Sequence, residues 1–428
     1  MATGTTLSCA FPLASRLNEL GRLEVGGCDT IELAAEFGTP AYVVAEDDLR
    51  ARARAFIEAG RAAGHRDFHV VFASKAFPCT AVLQTFAAEG LWCDAASGGE
   101  LHLALGAGFS PERIVMHGNA KSESELSMAL RHRVGLIVVD NFDEIDRLES
   151  LIADGALGAH GPQPVLIRVT PDVKGETDEK ISTGQADSKF GFAFDAAGEA
   201  VARIQAVEGL ALEGLHAHIG SQLLTLDPFR RATAELSKLG RFSTWDLGGG
   251  LGVQYTADQD APPSIEDYTS AVIDAAHAHG IGPDTRLLIE PGRALCANAA
   301  VTLYTVESVK QNVSRWVAVD GGMSDNLRPM LYGARYEAEV ADRFGGSTAC
   351  VLAGKHCESG DVIVRHARLA DPRPGDIIVT PATGAYGFAM SNNYNGVPRP
   401  PVIFCKDGDA RLVLRRDSFE DLTARDVV

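Results

Sequence analysis

One lysine stands directly behind an apolar segment, in VVFASKAF, where Lys75 follows Val70 to Ala73. A lysine in such a place is costly unless its charge is paired or its amine is used covalently. One interpretation is a surface lysine whose ammonium group reaches water. The other is a lysine that forms a Schiff base, with a pKa lowered by the loss of solvent. For this residue alone both interpretations stay open.

Two glycine-containing segments further along the chain could bind an anion. The first, DLGGGLG at 246–252, fits neither the G-x-G-x-x-G pattern nor the P-loop pattern. Three glycines between a strand and a helix can still free backbone N–H groups for a phosphate, although a tight turn explains them equally well. The second, Glu290-Pro291-Gly292-Arg293, puts a carboxylate beside a guanidinium, which could also be a buried ion pair.

Imidazoles follow two further apolar segments. His218 precedes Ser221 in HAHIGSQ, and His117 precedes Asn119 in MHGNAK. A single histidine in such a place is more often a satisfied core residue than a catalyst. Together with the lysine, the glycines and the carboxylate, however, these residues supply an amine, a phosphate site, a ring-stacking surface and a partner for a pyridine nitrogen. These are the groups that a protein needs to hold pyridoxal phosphate.

The elements that must position these residues alternate between strands and helices. Apolar runs predict eight strands, at 70–76, 91–96, 114–117, 136–140, 164–170, 212–218, 244–247 and 286–290. Helical patterns occur at 46–63, 122–133, 142–153, 196–207 and 265–279. Such alternation gives parallel strands, and eight units in about 250 residues match a closed (β/α)8 barrel. The alternative is an open doubly wound sheet. Polar residues at the strand ends favour the barrel, whose active sites lie at that face.

The pattern changes after residue 300, where short β-like runs at 301–309, 316–319, 362–363, 376–380 and 410–414 are separated by Gly, Pro and Asp. We therefore predict an α/β protein with a TIM-type barrel at 43–298 and a mostly β C-terminal domain at 299–428. The segment 1–42 does not fit the barrel repeat, and we expect it to pack with the β domain. The polar loop at 171–191 is long enough to be functional or mobile.

Composition argues against several classes of partner. Lys+Arg 39 against Asp+Glu 57 gives a net charge of −18, which disfavours binding to nucleic acid or to an anionic membrane. No apolar stretch approaches the roughly 18 residues of a membrane span, and the N-terminus lacks a secretory signal pattern. The eight cysteines are scattered without a C-x-x-C pair, which argues against a zinc site or disulfides. We expect a cytoplasmic protein with no metal site.

Six motifs, in this order, resemble those of the fold-type III pyridoxal-phosphate decarboxylases, an alanine racemase-like fold type, and most closely the diaminopimelate decarboxylases. They are HIGSQ at 218–222, DLGGGLG at 246–252, EPGRA at 290–294, VDGGMSDNLRPMLYGARY at 319–336, CESGD at 357–361 and GAYGFAMSNNYN at 384–395. Single motifs such as EPGR are loose, but the ordered combination is specific. The resemblance runs from about residue 40 to residue 395.

The resemblance implies a role for each candidate residue. Lys75 would form the imine link to pyridoxal 5'-phosphate, His218 would stack on the ring, and Glu290 would pair with the pyridine nitrogen. Cys357 would return a proton to the substrate carbon. The phosphate would be held by Ser221, Gly250, Gly292, Arg293 and Tyr386. Substrate would be contacted by Arg293, Arg328, Tyr332, Glu358 and Tyr386.

The resemblance also implies the reaction and the assembly. The reaction would be decarboxylation of meso-2,6-diaminopimelate to L-lysine and CO2, the last step of lysine biosynthesis. Cys357 and Glu358 would enter the active site of the other subunit, so the catalytic unit would be a homodimer.

Three alternatives remain open: a decarboxylase of ornithine, arginine or carboxynorspermidine, an amino-acid racemase of the same barrel class, and a catalytically silent homologue. Phe72 and Phe77 stand where the family usually has tyrosine and asparagine, and Gly387-Phe388-Ala389 is also less usual. These departures bear on substrate tuning more than on the reaction class.

Overall fold

A computed structural model of the chain describes residues 7–173 and 188–427. Most of the polar loop expected at 171–191 lies outside the described residues, so the expectation that it is functional or mobile stays a prediction. The chain divides into two compact units. The barrel unit comprises Ala51–Gly252 and Ala261–Ala294, and the β unit comprises Met1–Arg50, Val253–Asp260 and Leu295–Val428. The domain limits expected at residues 42 and 298 stay a prediction.

The N-terminal part of the β unit begins with a small antiparallel sheet of β1 (Arg16–Leu17), β2 (Leu23–Val25) and β3 (Cys28–Asp29). Helix α1 (Thr30–Phe37) follows because the Asp29 side chain accepts hydrogen bonds from the free N–H groups of Ile31 and Glu32. Strand β4 (Ala41–Ala45) and helix α2 (Glu46–Ala62) come next.

Eight parallel strands close into a barrel, as the sequence predicted. They are β5 (Phe68–Ala73), β6 (Trp92–Ala95), β7 (Ile114–Met116), β8 (Leu136–Val139), β9 (Gln163–Thr170), β11 (Leu210–His216), β12 (Thr244–Asp246) and β13 (Arg286–Ile289). The order is β9–β11–β12–β13–β5–β6–β7–β8, and pairing of β8 with β9 completes the circle. The short strand β10 (Phe192–Ala193) adds to β9. The closed circle excludes the open sheet.

The barrel strands are apolar because both of their faces are buried. Five of them contribute side chains to one buried cluster, which consists of Val71, Val115, Leu136, Val138, Leu166 and Leu288. Three of these six residues are valines, and such β-branched side chains suit a pleated surface that is covered on both sides. The strand ends that carry the polar candidates are therefore anchored on a packed core.

Helices connect the strands, and several begin at side-chain caps. Ser122 and Glu125 form a reciprocal capping box at the start of the helix that begins at Glu123, and Asn141 and Ser264 cap the helices that begin at Phe142 and Ile265. The helices are α3 (Thr80–Ala88), α4 (Gly98–Gly106), α5 (Glu123–His132), α6 (Phe142–Ala153), α7 (Ala197–Ala206), α8 (Asp227–Ser237), α9 (Ile265–Ala278) and α10 (Arg293–Cys296).

The rest of the β unit is a second sheet, with two short helices. Its strands are β14 (Ala300–Gln311), β15 (Arg315–Val319), β16 (Glu339–Val340), β17 (Thr348–Ala353), β18 (Val362–Leu369), β19 (Ile377–Pro381), β20 (Val402–Lys406) and β21 (Asp409–Leu414). The helices are α11 (Arg328–Tyr332) and α12 (Phe419–Thr423). Strand β4 pairs with β14 and β20, so an N-terminal segment completes this sheet. The sequence patterns had not identified β16, β17 or β20.

Among the residues that the structure describes, no helix is both long enough and apolar enough to cross a membrane.

Candidate active site

Lys75 lies in a short turn immediately after β5, and its side chain is 46% exposed. Its Nζ is 3.2 Å from Oδ2 of Asp94, a buried residue near the end of the neighbouring strand β6. The two residues meet because parallel pairing places Ala73 opposite Asp94. A buried carboxylate beside the amine distinguishes Lys75 from an ordinary surface lysine. The sequence analysis had not singled out Asp94.

The glycine segment after β12 has no room for side chains. A Cβ atom on Gly249 would lie 2.0 Å from the carbonyl oxygen of Glu290, and one on Gly250 would lie 2.5 Å from that of Gly220. Gly250 also has φ +123°, a conformation that L side chains rarely adopt. These contacts let the ends of three barrel strands approach one another closely. The glycines therefore do more than form a tight turn.

Ser221 and Arg293 meet beside this segment. The Arg293 Nη2 donates a hydrogen bond of 2.7 Å to the Ser221 hydroxyl oxygen, and Arg293 is only 6% exposed. Gly292 packs against the turn that carries Lys75, since a Cβ atom there would lie 3.0 Å from the Cβ of Ala73. The phosphate-binding candidates of the barrel unit thus surround one backbone cradle.

His218 is fixed by the glycine segment. The Gly249 N–H donates to its Nδ1 at 3.2 Å, which leaves the ring hydrogen on Nε2. Burial, and secondarily the charge of Lys75, lowers the pKa of His218 well below its usual value. The ring is therefore a neutral imidazole in a defined orientation.

Glu290 lies just after β13 among three other buried polar residues, His117, His216 and Asp246. His216 Nε2 donates to Glu290 Oε2 at 3.2 Å, and His117 Nε2 lies 2.6 Å from Oε1. The second is a close polar contact rather than a well-aligned hydrogen bond. Ligand atoms of the four residues lie within 4.8 Å of one another, a spacing that could also hold a metal ion. Because both imidazoles lie within polar contact distance of Glu290, we interpret the cluster as a polar network.

The substrate-binding candidate Arg328 lies at the start of α11 in the β unit and is 6% exposed. Its Nη1 donates to the Tyr336 hydroxyl, and its guanidinium carbon lies 4.7 Å from the ring centre of Tyr255. Among the described residues, no ion pair includes Arg328. A buried guanidinium held by aromatic rings is suited to a carboxylate ligand.

The other candidates of the β unit are more accessible. Tyr332 and Tyr386 are partly buried, and Tyr386 has a positive φ of 65°. Cys357 and Glu358 are exposed, in a loop between β17 and β18. The Asn395 side chain accepts a hydrogen bond from the Cys357 N–H at 2.9 Å.

The structure places the candidates in two groups. Those of the barrel unit are Lys75, His218, Ser221, Gly250, Glu290, Gly292 and Arg293; those of the β unit are Arg328, Tyr332, Cys357, Glu358 and Tyr386. The sequence analysis missed Asp94 and His216. It considered His117 either a site residue or a buried core residue. The spacing of His216 and His218 was an available signal, because residues two apart in a strand share a face.

Comparison with known proteins assigns the family. The model of the pyridoxal-dependent decarboxylase, pyridoxal binding domain, matches residues 47–297. A diaminopimelate decarboxylase from Bacillus subtilis is 43% identical over 433 residues, covering 96% of this chain and 97% of its own. One from Actinosynnema pretiosum is 45% identical over 429 residues, covering 97% and 95%. The chain belongs to the diaminopimelate decarboxylase family.

Solved structures agree with this family. Diaminopimelate decarboxylase from M. jannaschii, in complex with L-lysine, has a TM-score of 0.90 at 31% identity, covering 97% of this chain and 98% of its own. The Helicobacter pylori enzyme, also with L-lysine, has a TM-score of 0.85 at 31% identity, covering 92% and 98%. The expected fold class is confirmed.

One departure from the family pattern now has a structural explanation. Phe72 is fully buried, and its ring centre lies 4.4 Å from that of Phe86 in helix α3. Its side chain therefore packs between strand and helix, against an aromatic ring. Phe77 is also buried, at 1% exposure.

Proposed function

We propose that this diaminopimelate decarboxylase family member uses pyridoxal 5'-phosphate to convert meso-2,6-diaminopimelate to L-lysine and CO2. One observation carries the proposal: the barrel unit holds a buried carboxylate flanked by two imidazoles, Glu290, together with the half-exposed amine of Lys75. Relatives at 43% and 45% identity carry the name of this activity.

The residues of the barrel unit fit the cofactor. The glycine segment leaves backbone where side chains would collide, which suits a phosphate group. Ser221 and Arg293 add a hydroxyl and a guanidinium beside it. The carboxylate of Glu290 suits a protonated pyridine nitrogen. We propose that Lys75 binds the aldehyde carbon, that His218 stacks on the ring, and that Tyr386 adds a phosphate contact.

When bound, pyridoxal phosphate supplies an electron sink for the carbon that loses CO2. The chain supplies positioning and protons. Glu290 would keep a proton on the pyridine nitrogen, and Asp94 would orient the Lys75 amine. Cys357 would donate the proton that the substrate carbon takes up after CO2 has left.

The substrate proposal depends on the second amino-acid end of diaminopimelate. A carboxylate at that end needs a cation, and its ammonium group needs an anion. The buried guanidinium of Arg328 and the carboxylate of Glu358 have these charges, and we propose Arg293, Tyr332 and Tyr386 as further contacts. Ornithine and arginine lack the distal carboxylate, so they could not form this ion pair with Arg328.

We also propose a homodimer in which Cys357 and Glu358 serve the active site of the other subunit. Their exposure within a single chain supports this assignment. A cytoplasmic location, and the lack of a nucleic-acid or membrane partner, stay predictions.

A comparison of four substrates tests the proposed function. Purified protein with pyridoxal phosphate would be incubated separately with meso-diaminopimelate, ornithine, arginine and carboxynorspermidine, and CO2 and amine products measured. We expect L-lysine and CO2 from meso-diaminopimelate, and none from the Lys75→Ala variant. If CO2 is released only from one of the other substrates, the protein is a decarboxylase of that substrate. No CO2 from any of them, with cofactor bound, would refute the decarboxylase proposal.

A further inference from the structure

The environment of Glu290 is unusual for a carboxylate. Its relative exposure is 5%, and each of its oxygens faces a different imidazole. His216 reaches Oε2 from the end of β11, and His117 reaches Oε1 from just beyond β7. The two rings are 4.8 Å apart and inclined at 63°. Since an ionised carboxylate can only accept hydrogen bonds, His216 donates its Nε2–H to Oε2, while His117 Nε2 lies in close polar contact with Oε1.

The charges in this cluster are distributed unequally. Burial alone would raise the pKa of Glu290, but His117 and His216 hold it well below its usual range. Burial lowers the pKa of His216 to about 3, so this ring donates its hydrogen bond as a neutral imidazole. Burial and the charge of Glu290 raise the pKa of Asp246 well above its usual range. The negative charge of this cluster is therefore favoured on Glu290 over Asp246.

We infer that His117 and His216 are positioning residues that hold the Glu290 carboxylate ionised and oriented for the pyridine nitrogen of the cofactor. The inference rests on the proposed function, because it presumes that pyridoxal phosphate binds in the barrel unit. A buried carboxylate without these two imidazoles would take up a proton. It could then no longer pair with a protonated pyridine.

Comparing the affinities for two cofactors distinguishes this positioning role from a general effect on packing. The apoprotein would be titrated with pyridoxal phosphate and with its 1-deaza analogue, in which a C–H group replaces the ring nitrogen. Only pyridoxal phosphate can form the ion pair with Glu290. The ratio of the two dissociation constants therefore measures that contact alone and does not require turnover.

Three variants are compared with the native protein: His117→Gln, His216→Gln and, as a reference without the carboxylate charge, Glu290→Gln. The native protein should prefer pyridoxal phosphate roughly tenfold or more, the size expected of a charged hydrogen bond. Each histidine variant should lose most of that preference while binding the analogue within about threefold of the native protein. His69→Gln is the matched control, because His69 lies near the start of β5, beside Asp67 and Trp92.

Several results would overturn the inference. Equal weakening of both cofactors would mean that the imidazoles only fill space. An unchanged preference would mean that Glu290 does not need them. If the native protein bound both cofactors equally well, the inference would fail but the proposed function would stand. If it bound neither, the proposed function would fail too. Thermal melting of the apoproteins identifies misfolded variants, and either histidine variant is sufficient for the comparison.

Discussion

Replacing Arg328 should change substrate recognition far more than cofactor binding. Arg328 is 6% exposed and stacks on Tyr255, so a carboxylate that reaches it would be shielded from water. Truncating one partner of a buried charge pair costs about 2–5 kcal/mol. At 1.4 kcal/mol per tenfold, a loss near 3 kcal/mol lowers kcat/KM about a hundredfold. Arg328→Met keeps most of the side-chain volume, and Arg328→Lys keeps the charge without the bidentate fork.

The assay compares two substrates. Because the proposed product is L-lysine, the reacting centre of meso-diaminopimelate is its D end, and D-lysine is the analogue without the distal carboxylate. Arg328→Met should lower kcat/KM for meso-diaminopimelate about a hundredfold, yet change kcat/KM, or the inhibition constant, of D-lysine only a few-fold. Arg328→Lys should fall between. Equal losses for both compounds, or a parallel loss of affinity for pyridoxal phosphate, would refute a role at the distal carboxylate.

Three further predictions concern the proton donor, the assembly and stability. Cys357→Ala should keep its bound cofactor and lose about a hundredfold or more in turnover; unchanged turnover would remove Cys357 from catalysis. Mixing inactive Lys75→Ala and Cys357→Ala chains should restore about a quarter of native activity if active sites are shared in a dimer, and none if they are not. Burial raises the pKa of Asp325 to about 7, so the folded state keeps a proton that the unfolded chain loses near pH 4. Stability should therefore fall between pH 4 and 7 by up to about 4 kcal/mol, and Asp325→Asn should reduce this fall in a series of thermal melts.

The barrel could be predicted because its strands are buried on both faces. Runs such as Leu136–Val139 then consist almost entirely of apolar residues, and the helices between them have regular patterns and caps. The β unit was harder to predict. Its sheet joins β4 with strands from the other end of the chain, and pairing of that kind leaves no local signal. Strand β20 was missed for this reason, although it is largely buried. Strand β17 was also missed, although it pairs with β15 and β18, which lie near it in the chain.

The candidate site was predictable where a single sequence motif contains the reactive or binding group. Lys75, the glycine segment and Glu290 each stand behind an apolar run, and barrels collect such positions at one face. Asp94 was missed because a single acid at a strand end has no distinctive spacing. Its relation to Lys75 depends on the parallel register of β5 and β6.

The charge state of Glu290 could not be predicted from its motif. EPGR supplies a carboxylate, but a buried carboxylate can be neutral or ionised depending on what surrounds it. Here the surroundings come from β7, β11 and β12, which are distant in sequence and meet only when the barrel closes. His117 and His216 favour the ionised form of Glu290. Burial and the charge of Glu290 raise the pKa of Asp246, whose Oδ1 accepts a hydrogen bond from the Gly248 N–H. Two carboxylates of one cluster thus have pKa values shifted in opposite directions because the closed barrel gives them different neighbours.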